Sequence, residues 1–293
     1  PALGRVKVLR PLWGGGKVPG LGGGGSRWDP ELTHSKWVLL NIAYDLYARC
    51  TSAVLASKQH APLHLRVMDW HVDALRDLTV HAVFTSRGQE RYRITTWVGC
   101  VGVLTGMRPG HFSVSINYRE TGGGLHRNFG GLLSKSWPLS FLVRDVLDRG
   151  HSYAEAVQRL ATSRLIGPCY IVVCGTRPEE GVVLTRDRLS QDRQQQLSQQ
   201  PFRRVRGKSV RWVVQTNIDH WVTEPKPTDE FLVLNSLERA CNFSKAVQLL
   251  KWSWTNERAL VRAGFAAMAA EEVMSCDTVY QTLMRPGTGL FQS

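Results

Sequence analysis

The stretch YARCTSAVLAS, residues 47–57, places a cysteine where one sequence periodicity ends and another begins. Before it, apolar residues recur at spacings of three and four between residues 31 and 49, which predicts a helix. From Cys50 onward the pattern alternates, and this predicts a strand over 51–57. Taken alone, a cysteine at such a junction is usually a small buried hydrophobic residue.

Groups of predicted strands and groups of predicted helices follow one another along the chain. Strands are predicted at 79–84, 92–98, 112–118, 170–174, 181–185, 211–216 and 278–284. Helices are predicted at 138–150, at 152–161, where Ser152 and Glu155 have capping-box spacing, and across 236–272. Because the strands come in consecutive blocks, the pattern favours an α+β fold with largely antiparallel sheets over a doubly wound parallel sheet.

The charge of the chain is strongly unbalanced. Its 37 Lys and Arg residues against 24 Asp and Glu residues give a formal net charge of +13. Such a charge favours an anionic partner, for example a phospholipid surface, a nucleic acid or an acidic protein. Residues 190–208 are predicted to be a Gln-rich and then basic insertion on the surface. The basic residues in it and beside it are Arg203, Arg204, Arg206, Lys208 and Arg211. Such a run is most often a solvated loop, and no nucleic-acid-binding module signature accompanies it.

Residues 1–28 read as a Gly-rich basic arm, with no acidic residue before Asp29. Such a composition cannot form a core alone. It predicts the remnant of an organelle-targeted precursor and suggests the mitochondrion. No apolar run approaches the ~20 residues that a membrane-spanning helix needs, so no transmembrane segment is predicted.

The histidines and cysteines favour neither a metal site nor a disulfide framework. His60 and His64 have helical ligand spacing, but Pro62 lies between them and no further ligand cluster is evident. We interpret both as turn or surface histidines. The six cysteines contain no CxxC pair, which favours thiols over disulfides. We expect no metal and no cofactor.

Six blocks of sequence after Cys50 carry a resemblance to a known family. They are RVMDW (66–70), GCVGVLTGMRPGHFSVSIN (99–117), CYIVV (169–173), EEGVVLTRDR (179–188), WVVQTNIDHW (212–221) and TVYQTLM (278–284). In order and spacing they resemble the acid ceramidase and N-acylethanolamine acid amidase family, over residues 32–288. That family belongs to the N-terminal-nucleophile hydrolases, so the resemblance implies a four-layer αββα sandwich of two antiparallel sheets between helices.

By this resemblance the chain is a precursor that cuts itself between Arg49 and Cys50. Residues 29–49 would then be a pro-segment helix and residues 50–293 the amidase domain. A thiol is a weak nucleophile until it loses its proton, and the freed α-amine of Cys50, a group with an ordinary pKa of ~7.7, would act as its base. The position of the cysteine is thereby explained, because the nucleophile has to become a chain terminus.

Three further site residues follow from the same resemblance. Arg66 would favour the thiolate and polarise the substrate, and Asp69 would hold and orient the α-amine. Asn217 would donate to the oxyanion, a contact commonly worth ~3 kcal/mol in acyl transfer. In a protein without activity, the same residues would be a buried ion pair and a capping asparagine.

The chain departs from the family pattern at several positions. Tyr118 replaces an acid that helps to order the site, Leu65 and Val67 replace a Gly and an Asn beside the motif arginine, and Cys100 replaces a Tyr. The family segment that supplies a further active-site arginine has no clear counterpart in KPTDEFLVLN, residues 226–235.

Two functions from different classes remain. The first is a self-processing cysteine amidohydrolase that cleaves fatty-acyl amide lipids, ceramide-like or N-acylethanolamine-like, and that works at an anionic membrane surface; the family implies the lysosome. The alternative is a catalytically inactive, uncut amidase-like subunit of a larger mitochondrial or ribonucleoprotein assembly, with protein or RNA partners. Retention of Cys50, Arg66, Asp69 and Asn217 favours the amidase.

Overall fold

The structure of the protein is a computed structural model, and it describes residues 5–9, 49–119, 136–189, 191–224 and 230–293. The strands in chain order are β1 Arg5–Leu9, β2 Arg49–Ser57, β3 Leu63–Asp69, β4 Thr79–Ser86, β5 Gln89–Trp97, β6 Thr105–Arg108, β7 Phe112–Tyr118, β8 Cys169–Cys174, β9 Gly181–Arg186, β10 Gln191–Gln196, β11 Arg203–Val205, β12 Lys208–Gln215, β13 Thr278–Arg285 and β14 Leu290–Gln292. The α-helices are α1 Ala74–Leu78, α2 Leu139–Arg149, α3 Tyr153–Thr162, α4 Glu230–Leu249 and α5 Glu257–Met268. No helix in these described ranges has the length and apolar character needed to cross a membrane.

The strands form two sheets. One has eight strands in the order β1-β4-β5-β6-β7-β8-β9-β10, and the other has six in the order β11-β12-β2-β3-β13-β14. Every neighbouring pair in both sheets is antiparallel. The predicted α+β class with antiparallel sheets is therefore confirmed.

Helices cover the outer face of each sheet, so the molecule has four layers. Helices α2 and α3 pack on the eight-stranded sheet, and α4 and α5 pack on the six-stranded sheet. Between the sheets, Val54 of β2 packs against Tyr170 and Val172 of β8. On the far side of the six-stranded sheet, Leu65 packs in one cluster with Phe243 of α4. This is the expected αββα sandwich.

The two helices on the eight-stranded sheet form where their sequence predicts them. Helix α2 follows Pro138 and ends at Gly150, and it turns an apolar stripe to the sheet. The residues of that stripe are Leu139, Leu142, Val143, Val146 and Leu147. Helix α3 is capped by Ser152, whose Oγ accepts a hydrogen bond from the Glu155 N–H at 3.2 Å.

Residues 191–208 are mostly exposed, as a surface segment should be, but they form edge strands and not an insertion. Gln191–Gln196 forms β10, which pairs with β9 at the edge of the eight-stranded sheet. After a short 3₁₀-helix, Arg203–Val205 forms β11, which pairs with β12 at the edge of the other sheet. Edge strands expose much of their surface to water, so a Gln-rich and basic composition does not prevent them from pairing.

Part of the glycine-rich arm is a strand. Residues Arg5–Leu9 pair with β4, from Arg5 opposite Thr85 to Leu9 opposite His81. The predicted pro-segment helix over 29–49 lies outside the described residues, apart from Arg49, which begins β2.

Candidate active site

Strand β2 directs Cys50 into the space between the two sheets. Side chains alternate along a strand, so Ala53 and Leu55 pack with the helices on the outer face while Val54 packs against the eight-stranded sheet. Cys50 shares the inner face of β2 with Ser52, whose Oγ lies 2.9 Å from a serine of that opposite sheet. The Cys50 side chain is fully buried, and β2 is flanked by β12 and β3. A central strand therefore holds the sulfur.

Arg66 and Asn217 both contact Cys50. Arg66 Nη2 donates to Cys50 Sγ at 2.9 Å, and the Cys50 N–H donates to Asn217 Oδ1 at 2.8 Å. The thiol donates to Met68 Sδ at 3.7 Å. The bond from the Cys50 nitrogen thus goes to Asn217, and the orienting role of Asp69 stays a prediction.

Asp69 lies beside the predicted cleavage junction. It is opposite Arg49 in the β2–β3 ladder, and its Oδ1 accepts a hydrogen bond from Thr278 Oγ1 at 2.6 Å. Burial raises the pKa of Asp69 to about 6, against the lowering effects of the Thr278 bond and the charges of Arg239 and Arg66. The carboxyl group therefore changes its charge in the mildly acidic range.

A buried set of polar side chains fixes the position of Arg66. Its Nη1 donates to Ser52 Oγ at 3.1 Å and to Asn117 Oδ1. Ser52 Oγ also donates to Asn117 Oδ1 at 2.7 Å and lies 2.9 Å from Ser115 Oγ. Because Ser115 and Asn117 belong to β7 and Ser52 to β2, side chains from both sheets hold the guanidinium.

His64 belongs to the same buried set, so its interpretation as a turn or surface residue is wrong. Its Nδ1 and Nε2 lie 2.9 Å from Ser113 Oγ and Ser115 Oγ respectively. Its segment is strand β3, which directs the ring between the sheets. Burial and the charge of Arg66 lower the pKa of His64 to about 3, so the ring is neutral. His60 does lie in the β2–β3 turn. In the described part of the chain, no group of three or more His, Cys, Asp or Glu side chains could hold a metal ion.

Arg239 of α4 is a site residue that the sequence reasoning missed. Its Nη1 donates to Cys50 O at 2.8 Å, and its Nη2 donates to Asn217 Oδ1 at 3.0 Å. The side chain is 2% exposed. Arg239 lies one helical turn beyond residues 226–235, the segment that corresponds to the arginine-bearing segment of the family pattern. The signal was the helical pattern, because Arg239 falls on the stripe formed by the other buried residues of α4. Those residues are Val233, Ser236, Phe243 and Val247.

The departures from the family pattern lie in different places. Leu65 and Val67 are 1% exposed and face α4 and α5, on the side of β3 opposite to Arg66. They contribute to the core and do not line Cys50. The main-chain oxygen of Tyr118 accepts a hydrogen bond from Asn217 Nδ2 at 2.8 Å.

A buried arginine also fixes the loop that carries Asn217. Arg119 donates from Nε and Nη2 to the two carboxylate oxygens of Asp219, at 2.8 and 3.0 Å. Tyr170 donates to the same carboxylate at 2.7 Å. A bidentate contact restricts geometry strongly, so the loop two residues beyond Asn217 is held against β7 and β8. The sequence reasoning did not pair these residues, because 100 positions separate them.

The predicted basic cluster lies on the β11–β12 hairpin, where several of its members have partners within the molecule. Arg206 Nε donates to Leu249 O at 2.5 Å, and Arg211 donates to two main-chain oxygens, at 3.0 and 3.1 Å. Arg203 lies over the Trp212 ring at 5.4 Å. Arg203, Arg204, Arg206 and Lys208 are exposed, whereas Arg211 is buried.

A cleft of about 220 Å³ lies near this hairpin, at the opposite end of β2 from Cys50. Its lining includes Ser57, Lys208 and Trp254. It contains none of the predicted catalytic residues, so it is separate from the candidate active site.

Sequence comparison finds N-acylethanolamine-hydrolyzing acid amidases and acid ceramidases among the relatives of the chain, although no family model matches it. The N-acylethanolamine-hydrolyzing acid amidase of Oryctolagus cuniculus is 37% identical over 200 residues, which are 68% of this chain and 54% of that protein. The acid ceramidase of Heterocephalus glaber is 34% identical over 210 residues, 65% of this chain and 51% of that protein. The chain thus spans about half the length of these relatives.

Two comparisons with the nematode Caenorhabditis elegans cover more. Its N-acylethanolamine-hydrolyzing acid amidase is 31% identical over 266 residues, 85% of this chain and 67% of that protein. A solved structure of its N-acylethanolamine-hydrolyzing acid amidase ortholog superposes with a TM-score of 0.64 at 28% identity, covering 81% of this chain and 93% of that one. The chain therefore belongs to the N-acylethanolamine acid amidase and acid ceramidase family, and it shares the fold of the solved nematode structure.

Proposed function

We propose that this protein is a self-processing cysteine amidohydrolase that cleaves the amide bond of N-acyl lipids and releases a fatty acid and an amine. One observation carries the proposal: the Arg66 guanidinium lies 2.9 Å from Cys50 Sγ while Asn217 accepts from the Cys50 nitrogen. A scaffold has no evident need for a charged donor on a buried thiol. The names of the relatives, which hydrolyse N-acylethanolamines or ceramide, give the substrate class.

The first step is self-cleavage at the Arg49–Cys50 peptide bond. Cys50 Sγ attacks the carbonyl carbon of Arg49, the C–N bond breaks, and the Cys50 nitrogen takes the thiol proton and becomes an amine. Water then hydrolyses the thioester, which leaves a carboxylate on Arg49 and a free thiol on Cys50. Arg66 supports this step because its charge stabilises the sulfur as it loses the proton.

The second step is amide turnover by the new chain terminus. The α-amine of Cys50 takes the thiol proton, and the thiolate attacks the acyl carbonyl of the lipid. The tetrahedral intermediate collapses, the leaving amine receives the proton, and water hydrolyses the acyl-thioester to the fatty acid. Asn217 holds the α-amine through Oδ1. An amide nitrogen carries two hydrogens, one of which goes to Tyr118 O, and we assign donation to the oxyanion to the same nitrogen.

The burial of Cys50 supports an inactive precursor. In the uncut chain, where Arg49 is still joined to Cys50, the Cys50 side chain has no exposed surface. A fatty-acyl amide is far larger than a water molecule and has to reach the sulfur, so turnover requires the junction to open. We therefore infer that the uncut chain is a zymogen.

Mass spectrometry of the acyl-enzyme tests this proposal. Wild type, Cys50→Ala and the matched control Cys174→Ala, which removes another fully buried thiol, are incubated with an N-acylethanolamine and with ceramide, and stopped in acid. We expect fatty acid release only from wild type and Cys174→Ala. In both, the fragment that begins at Cys50 should transiently carry an added acyl mass. Release of fatty acid by Cys50→Ala would contradict the proposal. An uncut, inactive wild type in a stable multi-protein or RNA-containing complex would support the structural-subunit alternative.

A further inference from the structure

Helix α4 contacts the predicted cleavage junction on both sides of its peptide bond. Near the start of the helix, the Phe231 ring lies 4.9 Å from the Arg49 guanidinium carbon. About two turns later, Arg239 Nη1 donates to the carbonyl oxygen of Cys50. The helix therefore contacts the residue before the bond and the residue after it.

Arg239 is fully hydrogen-bonded. A guanidinium has five N–H donors in a fixed plane. Each is matched by an acceptor in this structure: Nε by Asn235 Oδ1 at 3.0 Å, Nη1 by Cys50 O at 2.8 Å and Thr51 Oγ1 at 3.1 Å, and Nη2 by Asn217 Oδ1 at 3.0 Å and Ser236 Oγ at 3.2 Å. Because a planar group with five bonds cannot rotate without losing some of them, Arg239 fixes Cys50 O and Asn217 Oδ1 relative to each other.

The two atoms that Arg239 fixes lie on either side of the Cys50 α-carbon. One is the carbonyl oxygen of Cys50, and the other is the acceptor of its nitrogen. Fixing both leaves little freedom in the orientation of the nitrogen toward the sulfur. We propose that Arg239 is a positioning residue for Cys50 and that its charge keeps the α-amine released by self-cleavage unprotonated.

The hydrogen bonds of Arg239 do not by themselves require a positive charge, so the charge needs a separate reason. No carboxylate oxygen of the described residues lies within 4.0 Å of Arg239 in an ion pair, and a buried charge without a close partner costs stability. The guanidinium and the Cys50 nitrogen share one acceptor, Asn217 Oδ1, which lies 2.8 Å from the Cys50 nitrogen and 3.0 Å from Arg239 Nη2. A like charge at that range disfavours the ammonium form. The amine therefore remains a base at lower pH than it otherwise would.

Other charged and titratable groups that interact with Arg239 or with Cys50 act in both directions. They are Arg66 and Asp69 of β3, Tyr280 of β13, Glu272 after α5 and, once the chain is cut, the new carboxylate of Arg49. Arg66 acts in the same direction as Arg239, whereas Asp69 and the Arg49 carboxylate favour the ammonium form. Substitution of Arg239 alone isolates its contribution, because the other groups stay in place.

The inference rests on the proposed self-cleavage and amide turnover, so the test compares variants with a wild type that performs both. Arg239→Gln removes the charge and Arg239→Lys retains it. Arg186→Gln is the matched control, because Arg186 is equally buried and donates to main-chain oxygens of the α3 segment, away from Cys50. Circular dichroism and thermal unfolding first establish that each variant is folded. Self-cleavage is then followed by intact mass, and kcat/KM for an N-acylethanolamine is measured from about pH 4 to pH 8.

We expect Arg239→Gln to slow self-cleavage on the order of 10²-fold, as misplaced reacting groups do. In the cut protein, we expect the acid limb of kcat/KM to move up by about one pH unit. Arg239→Lys should keep the wild-type limb at a reduced rate, and Arg186→Gln should change neither quantity beyond its effect on folding. A folded Arg239→Gln that stays uncut while Arg186→Gln cuts also supports the positioning role. An unchanged limb with normal cleavage in Arg239→Gln would overturn the inference and leave the proposed function standing. A wild type that neither cuts nor turns over would remove both.

Discussion

The protonation state of one side chain, Asp69, sets a pH dependence of stability. Burial raises its pKa from an ordinary 3.8 to about 6. Its contribution to the free energy of unfolding is therefore complete below the unfolded pKa and is lost as the pH rises through about 6. In a Cys50→Ala background that stays uncut, we expect the protein that keeps Asp69 to lose roughly 2 kcal/mol of stability, relative to its Asp69→Asn variant, between about pH 4 and pH 7. Urea unfolding of both proteins measures this difference, and parallel pH profiles would contradict it.

Val67, which stands where the family pattern has an asparagine, is a core residue. Val67 is 1% exposed and faces the helices of the outer layer. We expect Val67→Asn to lower the free energy of unfolding by about 2 kcal/mol, because it buries an amide among apolar side chains, and to leave catalysis no faster. Val98→Asn, at a position that is 61% exposed, should change stability by less than about 0.5 kcal/mol. Equal effects at both positions would show that Val67 is not core.

Single residues also show where sequence reasoning is limited. The resemblance suggested Cys50, Arg66 and Asn217, and the structure brings these three together in one buried cluster. Arg239 and His64 were missed or misinterpreted, because a charged residue on a helix stripe and a histidine in an unrecognised strand look the same in sequence as solvated residues. Only the paired strands and the packed helix show their acceptors.

At the scale of elements, the position of the loop after β12 depends more on the carboxylate of Asp219 than on that of Asp192. Arg119 contacts both Asp219, which is 18% exposed and bidentate, and Asp192, which is 36% exposed. Asp219 follows Asn217 by two residues. We expect Asp219→Asn to slow self-cleavage about tenfold or more, because Asn217 loses its fixed position, and Asp192→Asn to change it less than about twofold. Intact mass against time gives both rates, and the reverse order would contradict the account.

Strand predictions succeeded where the residues are apolar or alternate clearly, and they missed β3 and β10. The alternating patterns over 51–57 and 112–118 led to β2 and β7. Strand β3 was missed because its inner face carries His64 and Arg66, which are buried although histidine and arginine more often lie at the surface. Strand β10 was missed for another reason, since its residues are polar and its place at a sheet edge depends on a partner distant in sequence.

At the scale of the whole molecule, the two products of cleavage should remain together. Strand β1 precedes the junction, and it forms a five-residue ladder with β4, which follows the junction. Backbone pairing of this kind does not depend on the Arg49–Cys50 bond. We expect the 1–49 fragment to elute with the 50–293 fragment in native size-exclusion chromatography and to separate from it in urea. Separation without denaturant would contradict the ladder as the holding contact.

The central claim is that Cys50 becomes a chain terminus, and intact mass under denaturing conditions tests it most directly. Wild type, Cys50→Ala and Cys174→Ala are incubated at mildly acidic pH and then unfolded before measurement. The account predicts two masses, for chains ending at Arg49 and beginning at Cys50, in wild type and Cys174→Ala, and one uncut mass in Cys50→Ala. A single uncut mass in all three proteins, or cutting that persists in Cys50→Ala, would contradict it.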